Sequence, residues 1–310
     1  MMRRWLSLLA VVGLSFGFAL VLVSCQAVQA VTEVGTSAAA AAGIISEQQA
    51  KAITRSTEAI VKASEVLTPE NEYYIGRAVG ATILSQYPPV DNPKANRYIN
   101  TLGQALAMAS DMPQTYGGYR FLILDSDEVN AFAAPGGFIF VTRGMIRCCR
   151  HESALAAVLA HEIGHVQCRH GLASIRQGRI TQATVTVLGE GAKAMGGETL
   201  KQLTEQFQGT VEDITKTLIV NGYSRAAEKE ADTAAVEILR RVGYNPAALL
   251  EMLEAMTTRV QPGGPGFGKT HPPPADRIKI VQGLIGPSPA PVEEPPVRQT
   301  RFSEALRGVL

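Results

Sequence analysis

The chain has 310 residues, of which 46% are hydrophobic and 18% are charged. This apolar content is enough for a folded core and excludes an intrinsically disordered chain. Lysine and arginine number 29 against 28 acidic residues, so the net charge of +1 provides no basic surface for nucleic acid. The composition therefore predicts a globular protein with no nucleic-acid partner.

The N-terminus has the pattern of an export signal. Met1–Arg4 is basic and Trp5–Val23 carries no charge, which fits either a cleaved signal or an uncleaved transmembrane helix. The residues Leu22-Val23-Ser24-Cys25 resemble a bacterial lipobox. That resemblance implies cleavage before Cys25, lipidation of its thiol and a stable acyl anchor. The residue after Cys25 is Gln26 and not aspartate. In Gram-negative bacteria this resembles a lipoprotein that is sorted to the outer membrane. We therefore expect the periplasmic face of a bacterial envelope, with the transmembrane anchor as the alternative.

Hydrophobic periodicity divides the rest of the chain into predicted elements. Helices are predicted before and after two short strands, Tyr119–Leu124 and Phe138–Val141, which are separated by the turn signal Pro135–Gly137. This order predicts a mainly helical α+β fold with a small sheet. The predicted organisation is a signal peptide at 1–24, a flexible leader at 25–46, an N-terminal helix at 47–68, a main domain at 69–285 and a loose proline-rich tail at 286–310.

The most informative motif is His161-Glu162-Ile-Gly-His165, in a stretch with a helical apolar period. Two histidines four positions apart project from one side of a helix, so both imidazoles can bind one Zn²⁺. Glu162 can then lie beside the remaining coordination position and act as general base. The motif predicts a hydrolytic zinc site, with a helix that carries these residues by chance as the alternative.

A third zinc ligand is predicted in a second helical stretch about sixty residues downstream. Glu228 and Asp232 are four positions apart and share a helix face. Glu228 can bind the metal, while Asp232 can accept a hydrogen bond from the second ring nitrogen of a ligand histidine. Glu230 points away from this face and is predicted to be a solvated charge.

The cysteines Cys148, Cys149 and Cys168 are predicted to remain thiols. A helix over about 152–168 would hold its ends roughly 24 Å apart. A disulfide needs Cα atoms within about 7 Å, so neither Cys148 nor Cys149 can reach Cys168.

Four ordered motifs resemble the gluzincin metallopeptidase family forty-eight, whose members include HtpX, Oma and CAAX-prenyl-type proteases. The motifs are Asn130-Ala-Phe-Ala-Ala-Pro-Gly-Gly-Phe-Ile-Phe-Val-Thr-Arg-Gly144, Glu152…His165, Ser224-Arg…Glu228…Asp232 and Thr270-His-Pro…Arg277-Ile278. The resemblance implies a zinc metallopeptidase domain over 69–285, with His161, His165 and Glu228 as ligands, Glu162 as base and Asp232 behind the ligands. The lipobox makes the chain most similar to the periplasmic lipoprotein branch, BepA-like and LoiP-like. No helical repeat array follows the domain, unlike BepA-like members.

Further site residues are predicted with less support from the residues alone. His271, in a loop rich in glycine and proline, is interpreted as an oxyanion donor or as a fourth zinc ligand that keeps the enzyme latent. Arg277 is interpreted as a weaker candidate of the same kind. The strand residues Phe138, Ile139 and Phe140, with Asn130, are interpreted as a substrate-binding edge strand, and an internal hairpin strand is the alternative. His151 and His170 are predicted to be helix-end residues at the surface or in hydrogen bonds.

The predicted function is cleavage of peptide bonds in envelope proteins by a zinc-activated water, as part of protein quality control. One Zn²⁺ per chain is the expected cofactor, and protein or peptide substrates are the expected partners. The alternative is a lipid-anchored chaperone or scaffold, whose structural zinc site would be closed by four protein ligands.

Overall fold

A computed structural model describes residues 25–43, 45–64, 68–173, 222–259, 267–286 and 291–310. The predicted signal peptide, residues 1–24, lies outside this range. The chain divides into two compact units, Met1–Val66 with Arg176–Phe207 and Leu67–Ile175 with Gln208–Leu310. Within the described ranges, no helix is both long and apolar enough to cross a bilayer.

In the first unit, two helices pack against each other. Helix α1 spans Cys25–Ala41 and α2 spans Glu47–Ser64, so the flexible leader predicted over 25–46 is wrong for most of its length. The small residues that suggested flexibility include many alanines, and alanine is the best helix former. The hydroxyl groups of Thr36 and Thr54 lie 3.1 Å apart across the contact between α1 and α2.

The second unit begins with two helices whose starts are set by their sequences. Helices α3 (Pro69–Gln86) and α4 (Pro93–Met108) each begin with a proline, which needs no hydrogen-bond partner in the first turn. The side chains of Thr68 and Asn92 cap them by accepting hydrogen bonds from backbone N–H groups of the first turn.

A three-stranded sheet follows, with strands β1 (Arg120–Leu124), β2 (Ala131–Ala134) and β3 (Phe138–Thr142) in the order β1-β3-β2. Strand β3 runs parallel to β1 and antiparallel to β2. A short 3₁₀ turn, Pro135–Gly137, joins β2 to β3 with both glycines at positive φ, a conformation that glycine adopts without strain. Sequence analysis predicted β1 and β3 but not β2, which is only four residues long.

The interpretation of Phe138, Ile139 and Phe140 as an edge strand is wrong. Strand β3 lies in the centre of the sheet, so its backbone groups already pair on both sides and cannot pair with a substrate. The alternative, an internal hairpin strand, is the arrangement in the structure. The two edge strands are β1 and β2. In β2 the carbonyl of Ala133 accepts a hydrogen bond from the Tyr223 hydroxyl at 3.2 Å.

The centre of the unit is a pair of packed helices. A short helix, α5 (Arg143–Cys148), leads to α6 (Glu152–Gln167), which is buried along almost its whole length, and α6 packs against α7 (Arg225–Val242). A Cβ atom at Gly164 would lie 2.8 Å from the backbone oxygen of Ala231. Glycine at this position therefore lets the two helix backbones approach closely.

The remaining helices within the described ranges are α8 (Ala247–Arg259), α9 (Phe267–Thr270), α10 (Pro274–Ile285) and α11 (Pro296–Ala305). Helix α11 contradicts the prediction of a loose tail over 286–310. Phe302 in α11 and Leu306 and Val309, which follow its end, are buried in the main core. The proline content of the preceding segment obscured this helix.

A buried carboxylate holds this tail in place. The Glu152 side chain is fully buried and accepts hydrogen bonds from the hydroxyls of Tyr98 and Tyr244 and from the guanidinium of Arg301 in α11. Burial opposes ionisation of Glu152, but these donors hold its pKa below the usual value. The ionised carboxylate therefore links α4 and α6 to the C-terminal helix.

The structure confirms the mainly helical α+β class with a small sheet beside the His-Glu-x-x-His helix. Cys148, Cys149 and Cys168 form no disulfide, as the length of α6 predicts.

We expect Arg301→Ala to lower the free energy of unfolding by about 2 kcal/mol, because the buried Glu152 carboxylate loses a charged hydrogen-bond donor. Urea unfolding followed by circular dichroism measures the change. Arg307→Ala, which removes an exposed arginine from the same tail, is the matched control and should change stability little. Equal stabilities of the two variants would contradict this role of Arg301.

Candidate metal centre and active site

Helix α6 places two histidines side by side in the interior. His161 and His165 are each 1% exposed, and their Nε2 atoms lie 3.1 Å apart. His151 precedes the first residue of this helix and caps it, because its Nδ1 accepts a hydrogen bond from the Ala154 N–H, so His151 is a helix-end residue as predicted. Burial lowers the pKa of His165 to about 3, and burial followed by the nearby Arg277 charge lowers that of His161. Both imidazoles are therefore neutral near pH 7, which is the form that binds metals.

Helix α7 brings Glu228 to the same point. The side chain of Ser224 caps this helix, and Glu228 follows one turn later, buried to 1% exposure. Its two carboxylate oxygens lie 3.4 Å from His165 Nε2 and 3.5 Å from His161 Nε2. Burial opposes its ionisation, but His271 and Arg277 hold the pKa of Glu228 well below the usual value. The carboxylate is therefore negatively charged beside two neutral histidines.

His271 is the fourth residue at this point. Its Nδ1 lies 2.7 Å from Glu228 Oε1, and its ring stacks on Phe267 with centroids 4.0 Å apart. The preceding residue, Thr270, donates a hydrogen bond from its hydroxyl to Asn130 Oδ1 at 3.2 Å. Asn130, predicted to bind substrate, is 1% exposed and here holds the segment that carries His271; its predicted contact with substrate stays a prediction.

These four side chains fit a zinc ion. One donor atom from each of His161, His165, Glu228 and His271 lies within 4.8 Å of the others, and three imidazole nitrogens with one carboxylate oxygen are a set that zinc prefers. The two Nε2 atoms that face each other at 3.1 Å, with a carboxylate beside them, are the arrangement that a shared cation stabilises. The structure thus brings the predicted ligands together and adds His271 to the set.

Glu162 lies beside this group with no hydrogen-bond partner. Both of its carboxylate oxygens are buried, and neither has a partner among the described residues. Burial raises the pKa of Glu162 to about 7, with His271 acting in the opposite direction. A buried carboxylate without a partner is costly, so the position fits a group whose partner is a water molecule or a substrate.

Asp232 and Arg277 form a charged layer next to the histidines. Asp232 Oδ1 lies 3.1 Å from His161 Nδ1, and its role in orienting that histidine stays a prediction. Arg277 donates to both oxygens of Asp232, at 3.0 and 2.5 Å, and lies 3.3 Å from Glu228 Oε2. Burial acts to raise the pKa of Asp232, but Arg277 and His161 lower that pKa to about 2. Arg277 therefore contacts the carboxylates, and its predicted catalytic role stays a prediction.

Three further residues lie at or near the ring of His165, and sequence analysis did not predict the contacts among them. The ring of Tyr223 stacks on that of His165 with centroids 4.1 Å apart. His170 is 6% exposed, and its Nδ1 lies 2.9 Å from His165 Nδ1. Glu230 is 63% exposed, as predicted for a solvated charge, and its carboxylate lies 3.1 Å from His170 Nε2. Helical periodicity does not predict this contact, because Arg169 has a φ of 54° and interrupts the helix between Cys168 and His170.

Comparisons with known proteins agree with this geometry. The sequence profile of peptidase family M48 matches residues 93–285, more than half of the chain. The chain is 30% identical over 214 residues to the beta-barrel assembly-enhancing protease of Escherichia coli K12, which covers 67% of this chain and 41% of that protein. It is 25% identical over 195 residues to the metalloprotease LoiP of the same organism, which covers 63% and 71% respectively.

A third relative is the mitochondrial metalloendopeptidase OMA1 of Schizosaccharomyces pombe, 30% identical over 155 residues, 49% of this chain and 42% of that protein. The chain thus spans less than half the length of the assembly-enhancing protease. The matches confirm the family predicted from the motifs. With His161, Glu162, His165 and Glu228 inside the matched range, the chain belongs to peptidase family M48.

Proposed function

We propose that this chain is a zinc-dependent endopeptidase that cleaves proteins of the bacterial cell envelope in quality control. The observation that carries the proposal is the buried carboxylate of Glu162, which has no hydrogen-bond partner in the described part of the chain and lies beside His161, His165 and Glu228. Membership of a peptidase family supports the same reaction class. The chaperone or scaffold alternative is not favoured, because it gives Glu162 no role.

The chemistry depends on where Glu162 can place a proton. A bound zinc ion would polarise the scissile carbonyl and lower the pKa of a water molecule. Glu162 takes a proton from the attacking water and passes it to the leaving amine. Burial raises the pKa of Glu162, and a carboxylate with a raised pKa is suited to both accept and donate a proton.

The neighbouring charges hold the ligands in their reactive form. His161 Nδ1 lies 3.1 Å from both Asp232 Oδ1 and the Arg277 guanidinium. We assign the proton of His161 to Nδ1, directed at the Asp232 carboxylate, because this tautomer leaves Nε2 free of a proton for the metal. Arg277 compensates the charges of Asp232 and Glu228, so both carboxylates stay ionised in the interior. We therefore assign Asp232 and Arg277 to positioning the ligands, while Glu162 contacts the reacting atoms.

His271 is assigned to the fourth donor position. Its distance of 2.7 Å to Glu228 Oε1 and its place in the four-residue group support this assignment over that of an oxyanion donor. Four protein ligands close a zinc site to water, so the enzyme is latent in this arrangement. Activity then requires movement of the segment that carries His271, which is tethered to Asn130 through Thr270.

The location rests on the N-terminal sequence and on the relatives. The lipobox-like residues Leu22–Cys25 support lipidation of Cys25 and attachment to the periplasmic face of a membrane. The bacterial relatives include a beta-barrel assembly-enhancing protease of Escherichia coli, which supports envelope proteins as substrates.

Glu162 is proposed as the general base of the reaction. Glu162→Gln should retain bound zinc, because the glutamine is not a ligand, but should lower the rate of casein cleavage by at least about 100-fold. Zinc is measured by atomic emission and cleavage with labelled casein. Glu237→Gln, which changes an exposed glutamate of α7, is the matched control and should cleave at the wild-type rate. Wild-type activity in pure Glu162→Gln protein would refute the mechanism.

The second prediction concerns His271. Because removal of a fourth ligand opens the site to water, His271→Ala should retain zinc and cleave casein several-fold faster than wild type. The double variant Glu162→Gln/His271→Ala should be inactive, which excludes a contaminating protease. A fall in rate of about 10²–10³-fold would instead identify His271 as an oxyanion donor and contradict latency.

The third prediction concerns Cys25. Cys25→Ala should abolish incorporation of labelled palmitate and release the protein from the membrane fraction, because the acyl anchor is lost. Cys168→Ser is the control and should be labelled like wild type. Membrane retention of the wild type without any label would support the uncleaved transmembrane anchor instead.

A further inference from the structure

A second histidine lies directly behind the predicted ligand His165. His165 directs Nε2 towards Glu228 and His161, at 3.4 and 3.1 Å. On the other side of its ring, Nδ1 lies 2.9 Å from Nδ1 of His170, and the two ring centroids are 5.0 Å apart. His170 is 6% exposed. Its Nε2 lies 3.1 Å from an oxygen of Glu230, whose side chain is 63% exposed. The three side chains thus form a chain from the interior to the surface.

Only one placement of protons is compatible with both hydrogen bonds when His165 uses Nε2 as a ligand. Nδ1 of His165 then carries the proton and donates, so Nδ1 of His170 must accept. A neutral His170 consequently carries its proton on Nε2 and donates a hydrogen bond from this nitrogen to the carboxylate of Glu230. The negative charge of Glu230 favours this tautomer and thereby favours the ligating tautomer of His165.

The two predicted ligand histidines therefore have different partners on their second nitrogens. His161 contacts Asp232 directly, whereas His165 reaches a carboxylate through His170. The backbone helps to form the longer connection, because Arg169 adopts a left-handed conformation with a φ of 54°. That conformation is strained for a non-glycine residue, and it returns the chain so that His170 lies against His165.

We propose that His170 and Glu230 are positioning residues that hold His165 in the tautomer and orientation required to bind the metal. The proposal rests on the proposed function, since it concerns the same metal centre. Neither residue contacts substrate in this role; both act through His165. Substitution of either residue should lower zinc affinity while leaving the stability of the metal-free protein nearly unchanged.

The test measures zinc affinity by competition with a chromogenic chelator, in the inactive Glu162→Gln protein so that self-cleavage cannot interfere. His170→Phe keeps a ring of similar size but removes the acceptor, and should lower zinc affinity about 10- to 100-fold. His170→Asn can still accept through its side-chain oxygen and should recover part of that loss. Glu230→Gln retains an acceptor without the charge and should lose less affinity than His170→Phe.

Two controls separate this positioning role from a purely structural role and from a second metal site. Urea unfolding of the metal-free proteins tests the structural role: if His170→Phe destabilises the metal-free protein and leaves zinc affinity unchanged, the proposal is overturned. Cys168→Ser tests a separate metal site, because Cys168, His170 and Glu230 also have donor atoms within 4.8 Å of one another. We expect this variant to bind one zinc with wild-type affinity. Loss of a second zinc equivalent in Cys168→Ser would overturn the proposal.

The results also separate this proposal from the proposed function. If Glu162→Gln protein binds no zinc, the zinc peptidase assignment fails. If it binds zinc and His170→Phe binds it equally well, the role of His170 and Glu230 fails while the peptidase assignment stands.

Discussion

The site depends on compensation of buried negative charge by one arginine. Asp232 and Glu228 are both almost completely buried, and Arg277 contacts each of them from α10. Removing an ionised carboxylate from water costs several kcal/mol unless a partner of opposite charge and good geometry replaces the solvent. The forked guanidinium meets this requirement because it donates to both oxygens of Asp232 and still reaches Glu228. The helix that carries Arg277 thus favours the ionisation of Asp232 and, together with His271, that of Glu228.

The backbone geometry of α6 and α7 is the second constraint. A metal bound by residues of both helices requires their axes to be close, and the contact between Gly164 and Ala231 permits this approach. Gly164 lies between Glu162 and His165 in sequence. The glycine of the motif therefore contributes through packing, while its polar neighbours contribute the chemistry.

The environments of the carboxylates separate their roles. Glu228 and Asp232 face positive groups that hold their pKa values low, whereas Glu162 is buried without a hydrogen-bond partner in the described ranges, and its pKa rises to about 7. The three carboxylates thus differ in protonation: Glu228 and Asp232 stay charged beside the histidines, whereas Glu162 is able to exchange a proton. Such a division by environment is how one site can combine metal binding with acid–base chemistry.

The sequence alone determined the residues whose relation is local or whose spacing is helical. His161, Glu162 and His165 share one helix, Glu228 and Asp232 share another, and helical periodicity specifies which of them face the same way. Contacts between distant segments were decided only by the tertiary structure. It placed β3 in the centre of the sheet, buried the C-terminal helix through Glu152 and Arg301, and brought His170 and Tyr223 against His165. These outcomes depend on the strand order, on an ion pair between Glu152 and Arg301, which are 149 positions apart, and on the left-handed backbone conformation of Arg169. Local periodicity in the sequence carries no signal for any of the three.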